Sequence, residues 1–319
     1  MSYIISMLTL FLIFAILGLS FNLLIGYSGL FSIAHAAFYG VGAYVAALTA
    51  RDLGLNFLAA TALGMLAAGA LSGMLAIPAL RVSGDYLVIA SFGFQFIIYS
   101  VFNNLEITGA GAGVTRIPRP ELFGYVFDSD LSMLALAAVF TALTLVLLWR
   151  LTNSPFGRVL RAMRDDEVAI QGLGKNITAA KVIVFVVSGA LAAVAGALYA
   201  FTFNYIFPDN FTLTESVFIF TLVVVGGAGT LRGSLVGAVV VLLLPEALRF
   251  LKLSETMAAP IRQLTYSVLV IVFLIFRPQG ILGEYAAIAE SPTAGGGASG
   301  GPEEPAGGGP APPRRRAPA

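Results

Sequence analysis

The residues able to take part in chemistry are few in this sequence, and most lie in one stretch near its midpoint, Ser154–Lys181. Part of this stretch is similar to a phosphate-binding loop, because two glycines precede a lysine in Gly172–Lys175. The motif's first glycine is absent, and Asn176 stands where a Ser or Thr hydroxyl should bind Mg²⁺. We therefore predict no ATP site in this chain. The charged residues of the stretch are Arg158, Arg161, Arg164, Lys175 and Lys181, and Asp165, Asp166 and Glu167.

Other catalytic chemistry has little material here. The chain has no cysteine, which excludes thiolate chemistry, and its single histidine, His35, excludes a multi-histidine metal site. A net charge of +1 argues against a nucleic-acid partner. We expect a protein that is not an enzyme and binds no cofactor or metal itself.

Composition indicates a membrane protein. Of the 319 residues, 58% are hydrophobic and 11% charged, whereas soluble domains carry about 25% charged residues. The N-terminus runs directly into an apolar segment without a basic region or cleavage site, so we interpret it as a first span and not a signal peptide.

The predicted fold class is an all-α, polytopic transmembrane helix bundle. A spanning helix needs about 20 mostly apolar residues, which gives about nine spans, with eight or ten as alternatives. The candidate spans are roughly 4–25, 29–50, 56–79, 86–103, 131–150, 180–203, 212–228, 232–250 and 263–277.

Two glycine-rich interruptions, residues 26–44 and 226–237, differ from plain lipid-facing helices. Glycine weakens a helix but lets backbones approach closely in a membrane. One interpretation is a pair of broken helices beside a translocation path, as in transporters with internal symmetry. The other is ordinary packing of small residues between helices.

Polar residues inside predicted spans are candidates for the translocation path, because they are costly in lipid. For His35 the alternative is an interhelical hydrogen bond, and the path as a whole could be a passage without selectivity. The candidates are Asn22, His35, Gln95, Asn204 and Glu215, with Glu246 near another span end.

The central stretch is predicted to form two short helices in water, since three arginines at a bilayer centre would cost roughly 2.5–3.5 kcal/mol each. Ser154 can cap a helix that begins at Pro155. Asp165 or Asp166 can cap a second helix, which a glycine at 172 or 174 would end. The mixture of acids and bases favours docking on a protein over lying on lipid. An apolar stripe on the first helix comprises Phe156, Val159, Leu160 and Met163.

Placing this stretch in the cytoplasm fixes the orientation of every span. Twelve of the 18 Lys and Arg then lie inside, in agreement with the positive-inside rule, and the N-terminus lies outside. We predict a transmembrane domain over 1–290, with its cytoplasmic loop at 152–180. The Gly/Pro/Ala-rich segment 291–319 should be a disordered cytoplasmic tail that makes no specific contact beyond lipid headgroups.

Several motifs together resemble one family. RVLRAMRDDEVAIQGLGKNITAAK with the apolar helix after it, GLSFNLLIGYSGLFSIAHAAFYGVGAY, VVVGGAGTLRGSLVGA and FRPQGILG are similar to motifs of permease subunits of the branched-chain amino acid (Liv-type) ABC importers. The resemblance runs from about Gly18 to Gly283 and fits the M-type subunit better than the H-type.

The resemblance implies a subunit of an ATP-driven importer in the bacterial cytoplasmic membrane. Its expected partners are a second permease in a heterodimer, two cytoplasmic ATPases that hold ATP and Mg²⁺, an extracytoplasmic binding protein, and membrane lipid. It also implies that the central stretch contains the coupling helix. The residues carried over to that helix are Arg161, Asp165, Asp166, Glu167, Ala169, Gly172 and Gly174; for each, the alternative is an ordinary solvated loop residue.

Three other functions stay open at this point. Similar permeases serve urea and short amides, and these motifs do not separate those substrates from amino acids. A stand-alone secondary transporter or a passive channel is less consistent with a docking-type loop and with so few buried ionisable residues.

Overall fold

A computed structural model of the chain describes residues 2–81, 85–122, 124–249, 255–276 and 280–282. The predicted tail, 291–319, lies outside these residues, as does the side chain of Glu246.

The described chain is a helical bundle, as predicted. Eight of its helices precede residue 204: α1 (Ser2–Asn22), α2 (His35–Leu53), α3 (Phe57–Arg81), α4 (Asp85–Asn104), α5 (Asp130–Thr152), α6 (Pro155–Asp165), α7 (Glu167–Gly172) and α8 (Ile177–Phe203). Three follow it: α9 (Leu213–Gly226), α10 (Leu231–Arg249) and α11 (Glu255–Phe276). A π-helical turn, Leu23–Tyr27, continues α1.

Six helical segments of the described residues are long and apolar enough to cross a membrane, and a seventh apolar helix, Leu231–Leu243, is shorter. This supports a multi-pass membrane protein. The count of nine spans stays a prediction, although each predicted span overlaps one long helix.

Short strands and turns connect the helices at one end of the bundle. β1 (Val114–Thr115) pairs antiparallel with β4 (Tyr205–Ile206), with Val114 opposite Ile206. β2 (Glu121–Leu122) pairs with β3 (Tyr125–Val126) in a hairpin. A 3₁₀ turn, Pro208–Phe211, leads into α9.

Helix α8 lies at the centre, packed on α1, α2 and α3. Small residues allow this approach: a Cβ added at Gly42 would lie 2.2 Å from the Ala193 Cα, and one at Gly196 would lie 2.1 Å from the Tyr39 carbonyl oxygen. Without a hydrophobic drive between helices in lipid, such close backbone contact supplies the packing energy. Large apolar side chains on α4, α5 and α11, such as Ile97, Leu143 and Ile275, are exposed and thus available to lipid or partner chains.

Candidate functional site

Helix α6 forms as its sequence predicts. The Ser154 hydroxyl accepts a hydrogen bond from the Gly157 amide at 3.3 Å, and Pro155 is the first helical residue. Leu160 and Met163 are buried, while Phe156 and Val159 are partly buried against the same core. The apolar stripe therefore fixes α6 against the bundle and leaves its polar face outward.

Asp166, and not Asp165, caps α7. Its carboxylate accepts hydrogen bonds from the amides of Val168 and Ala169, both at 2.9 Å. An acidic cap also interacts favourably with the positive end of the helix dipole. The helix ends at Gly172, and Gly174 then adopts a φ of +71°, a left-handed conformation that glycine adopts without strain.

The outer face of α7 carries apolar and small residues. The side chains of Val168 and Leu173 are 78% and 74% exposed. Ala169, Gly172 and Gly174 are exposed beside them. Water-exposed apolar side chains with small neighbours are the features of a protein-docking surface.

One ion pair connects α7 to α8. Lys181 Nζ lies 2.6 Å from Glu167 Oε1, and the lysine side chain is only 8% exposed. Because α8 is the central helix of the bundle, this pair links a surface helix to the core.

Arg164 connects α6 to the bundle. Its Nη1 donates to the Gly26 carbonyl oxygen at 2.8 Å, and its Nε pairs with Asp165 at 3.1 Å. A Cβ added at Gly29 would lie 2.9 Å from Arg164 Cγ, so the aliphatic part of the arginine side chain passes close to the backbone at Gly29. Arg164 was not among the site residues predicted from the sequence. The available signal was its position four residues after Leu160, a member of the predicted apolar stripe.

Asn22, four residues before the first glycine-rich interruption, contacts the second interruption. Its amide nitrogen donates to the Thr230 carbonyl oxygen at 2.7 Å and to Ser234 Oγ at 2.8 Å. Its carbonyl oxygen accepts from the Gly229 amide at 2.8 Å. Asn22 is thus paired on both ends of its amide, and it joins the end of α1 to the start of α10.

A third segment completes this cluster. Leu282 N donates to the Gly226 carbonyl oxygen at 2.9 Å, and Thr230 Oγ1 donates to the Leu282 carbonyl oxygen at 2.7 Å. Three motifs that are far apart in sequence therefore converge beside Arg164. We call this group of residues (Asn22, Gly26, Gly229, Thr230 and Leu282) the glycine junction.

Helix α2 begins inside the bundle, where its free amides need partners. The Ala36 amide donates to Ser216 Oγ at 3.0 Å, and the Ala37 amide donates to Gln95 Oε1 at 2.9 Å. Gln95 Nε2 in turn donates to the Phe211 carbonyl oxygen at 2.7 Å. Gln95 therefore joins α4 and the turn before α9 to the start of α2. Ser216, which accepts the neighbouring amide, was not among the site residues predicted from the sequence.

His35 is fully buried at the first position of α2. A hydrogen bond of 2.9 Å joins its Nε2 to Ser20 Oγ on α1, which is the interhelical contact named as the alternative. Its Nδ1 has no hydrogen-bond partner among the described residues. Phe21 packs on the ring at a centroid distance of 5.0 Å.

Asn204 and Glu215 lie at helix ends. Asn204 terminates α8 with a φ of +59°, a conformation that asparagine tolerates better than most residues. Glu215 is in the first turn of α9, one residue before Ser216, whose hydroxyl accepts the Ala36 amide at the start of α2. The structure thus gathers His35, Gln95 and Glu215 near the starts of α2 and α9, and leaves Asn22 and Asn204 in separate places.

The chain matches the family described as branched-chain amino acid transport system, permease component, over residues 3–276. It is 34% identical over 299 residues to the permease protein LivM of Salmonella typhimurium (strain LT2). The aligned region covers 86% of this chain and 68% of that protein. LivM of Escherichia coli (strain K12) is 33% identical with the same coverage.

The permease protein LivH of Escherichia coli (strain K12) is 26% identical, over 85% of this chain and 91% of its own length. Identity is higher to LivM than to LivH, as expected of an M-type chain. No solved structure matches the chain significantly. The family match over nearly all of the described residues establishes that this chain belongs to the permease components of branched-chain amino acid transport systems, and is a transport subunit rather than an enzyme.

Proposed function

We propose that the chain is the M-type permease subunit of an ABC importer that carries branched-chain amino acids across the bacterial cytoplasmic membrane. It crosses the membrane nine times through α1 to α5 and α8 to α11, with α6 and α7 in the cytoplasm. Its complex contains a second permease in a heterodimer, two ATPases that supply ATP and Mg²⁺ sites, and an extracytoplasmic binding protein. The permease domain is 1–290, and 291–319 is a disordered tail.

One observation carries this proposal: α7 has an exposed apolar face and yet is connected to the bundle. Val168 and Leu173 face outward, whereas Glu167 is paired with Lys181 at the start of α8. A docked ATPase that moves α7 would therefore move α8. Asp165 and Ala169, with the glycines at 172 and 174, are exposed on or beside α7, whereas Arg161 holds α6 to the end of α5 through the Thr152 carbonyl oxygen.

Arg164 provides a second route from the ATPase to the translocation path. A displacement of α6 is passed to the Gly26 carbonyl, and from there to the glycine junction at the ends of α1 and α9. The path candidates Gln95 and Glu215 lie near the start of α9, and His35 contacts Ser20 on α1, two residues before Asn22. Two discrete arrangements of the junction would open and close the path.

The substrate rests on the names of the relatives, which are branched-chain amino acid permeases. A permease component is one part of a larger system, which disfavours a stand-alone secondary transporter.

The test is uptake by proteoliposomes that contain the chain, its partner permease and both ATPases, with the binding protein outside. We expect ATP-dependent accumulation of labelled leucine, isoleucine and valine, and no competition by urea. Uptake of urea or acetamide in place of leucine would reassign the substrate. Uptake by the chain alone, driven by an ion gradient, would overturn the proposal.

A further inference from the structure

A groove of about 750 Å³ lies between α5 and α10, at the end of the bundle that carries α6. Its walls are apolar along the two helices, at Leu145, Val146 and Leu235. Its floor beside α6 is polar and contains two cations, Arg161 and Arg232. The glycine junction forms part of this floor.

The charged residues described along this groove have one sign. Among the described residues that line it, none is acidic. Within the described part of the chain, neither Arg161 nor Arg232 lies within ion-pair distance of a carboxylate. Arg161 Nη1 donates to the Thr152 carbonyl oxygen at 3.1 Å, which leaves its other N–H groups available, and Arg232 is exposed. Two guanidinium groups along one polar floor suit a phosphate, because an arginine can donate two parallel N–H bonds to its oxygens.

The apolar wall continues onto the outer face of the bundle. Leu143, Val146 and Leu147 on α5 are exposed, and α5 is long and apolar enough to cross a membrane, as the proposed function requires. Trp149, 58% exposed, lines the groove one turn before the helix ends. Tryptophan prefers the headgroup level of a bilayer, so the arginines next to it lie at the depth of lipid phosphates.

We propose that this groove binds an anionic phospholipid, with its phosphate between Arg161 and Arg232 and an acyl chain along α5. A soluble phosphate would satisfy the arginines but would leave the apolar wall uncovered. The occupant that matches both parts is a lipid of the cytoplasmic leaflet, which is rich in anionic headgroups. Because Arg161 also donates a hydrogen bond from α6 to the Thr152 carbonyl oxygen at the end of α5, the lipid would stabilise the position of α6.

The chain provides its own reporter, since Trp149 is the only tryptophan. The full chain is reconstituted in phosphatidylcholine bilayers, and Trp149 fluorescence is measured with phosphatidylglycerol or phosphatidylcholine brominated on the acyl chains, at equal mole fractions. Each arginine should favour the anionic lipid about fivefold, so that the pair gives a preference of roughly 25-fold. We expect Arg232→Gln and Arg161→Gln each to lower this preference about fivefold.

Arg158→Gln is the matched control, because it removes the same charge from α6 outside the groove and should keep the preference. Arg232 is exposed, so its variant should fold normally even if Arg161→Gln does not. Equal quenching by the two brominated lipids would overturn the proposal in favour of a nonspecific lipid shell. Loss of the preference on addition of inorganic phosphate at constant ionic strength would overturn it in favour of a soluble anion.

Discussion

Arg164 Nη1 donates a hydrogen bond of 2.8 Å to the carbonyl oxygen of Gly26, which joins two residues 138 positions apart. The donor is on a helix at the surface of the bundle, and the acceptor is in a π-helical turn at the end of α1. π turns leave backbone carbonyls without their usual helical donors and often occur at functional sites. The contact therefore places a charged side chain of α6 on a deformable part of a spanning helix.

We expect Arg164→Lys to uncouple ATP hydrolysis from uptake. Lysine keeps the charge but lacks the fork that reaches both Asp165 and Gly26. Loss of a hydrogen bond from a charged donor costs about 1.5–3 kcal/mol, which corresponds to roughly a tenfold or larger loss of uptake per ATP hydrolysed. The ratio is measured in proteoliposomes, with Arg158→Lys as the control on the exposed face of α6. An unchanged ratio in Arg164→Lys would show that this bond does not carry the coupling.

Replacing Asp166 should weaken α7, whereas replacing Asp165 should not. Both residues are acidic and exposed, but only Asp166 accepts the amides of Val168 and Ala169. Loss of a carboxylate cap costs about 0.5–2 kcal/mol. Asp166→Ala should therefore lower substrate-stimulated ATP hydrolysis severalfold while the thermal stability of the bundle changes little. Asp165→Ala removes the same charge, and the Arg164 ion pair, but not the cap, so amide exchange at Val168 and Ala169 should rise in Asp166→Ala only. Equal exchange at these amides in the two variants would point to charge, not capping, as the cause.

Glu167 and Lys181 offer a charge-swap experiment. Glu167→Gln leaves a buried ammonium without its carboxylate, at a cost of about 1–3 kcal/mol. The double variant Glu167→Lys, Lys181→Glu restores opposite charges across the same contact. We expect the single variant to lose most substrate-stimulated ATP hydrolysis and the swap to recover part of it. Glu167→Lys and Lys181→Glu are also measured singly. If the loss in the double variant equals the sum of these two losses, the pair does not connect α7 with α8.

Asn22→Leu should destabilise the glycine junction more than it destabilises the rest of the bundle. Leucine has similar volume but leaves the Gly229 amide and the Thr230 carbonyl without their side-chain partner. A fully buried group left unsatisfied costs about 1–3 kcal/mol, and these two are partly buried, so each should cost less than that. Asn22→Asp keeps the acceptor for Gly229 and should be less damaging at pH values where it is protonated. Hydrogen exchange at 226–231 checks this, and unchanged protection in Asn22→Leu would contradict it.

The local parts of this site were predictable, and the long-range parts were not. Ser154, Pro155 and the acidic caps act within one helical turn, so their pattern is sufficient to place α6 and α7. The choice between Asp165 and Asp166 as the cap could not be predicted, because adjacent residues have the same local options. Contacts such as Asn22 with Gly229 depend on how two distant backbones cross. In sequence each glycine break indicates only that a close approach exists, and not with which partner.

The same reasoning explains His35 and Gln95. Their burial in a span predicted a polar role, but Gln95 serves the free amides at the start of α2, which the continuous span 29–50 did not anticipate. The structure begins α2 at His35, after an irregular segment within the bundle. A polar residue in a span is therefore a sign of a nearby helix end as well as of a path.

The absence of native cysteine permits a direct test of the topology. Single cysteines at Leu173 and Tyr125, both exposed, lie on either side of α5. A membrane-impermeant maleimide should label Tyr125→Cys in intact cells and Leu173→Cys only in inverted vesicles. A cysteine at Ser2 should behave as Tyr125→Cys does, because four spans, α1 to α4, separate the two positions. If Ser2→Cys instead labels from the side of Leu173→Cys, one of these helices, with α2 the first suspect, does not cross the membrane.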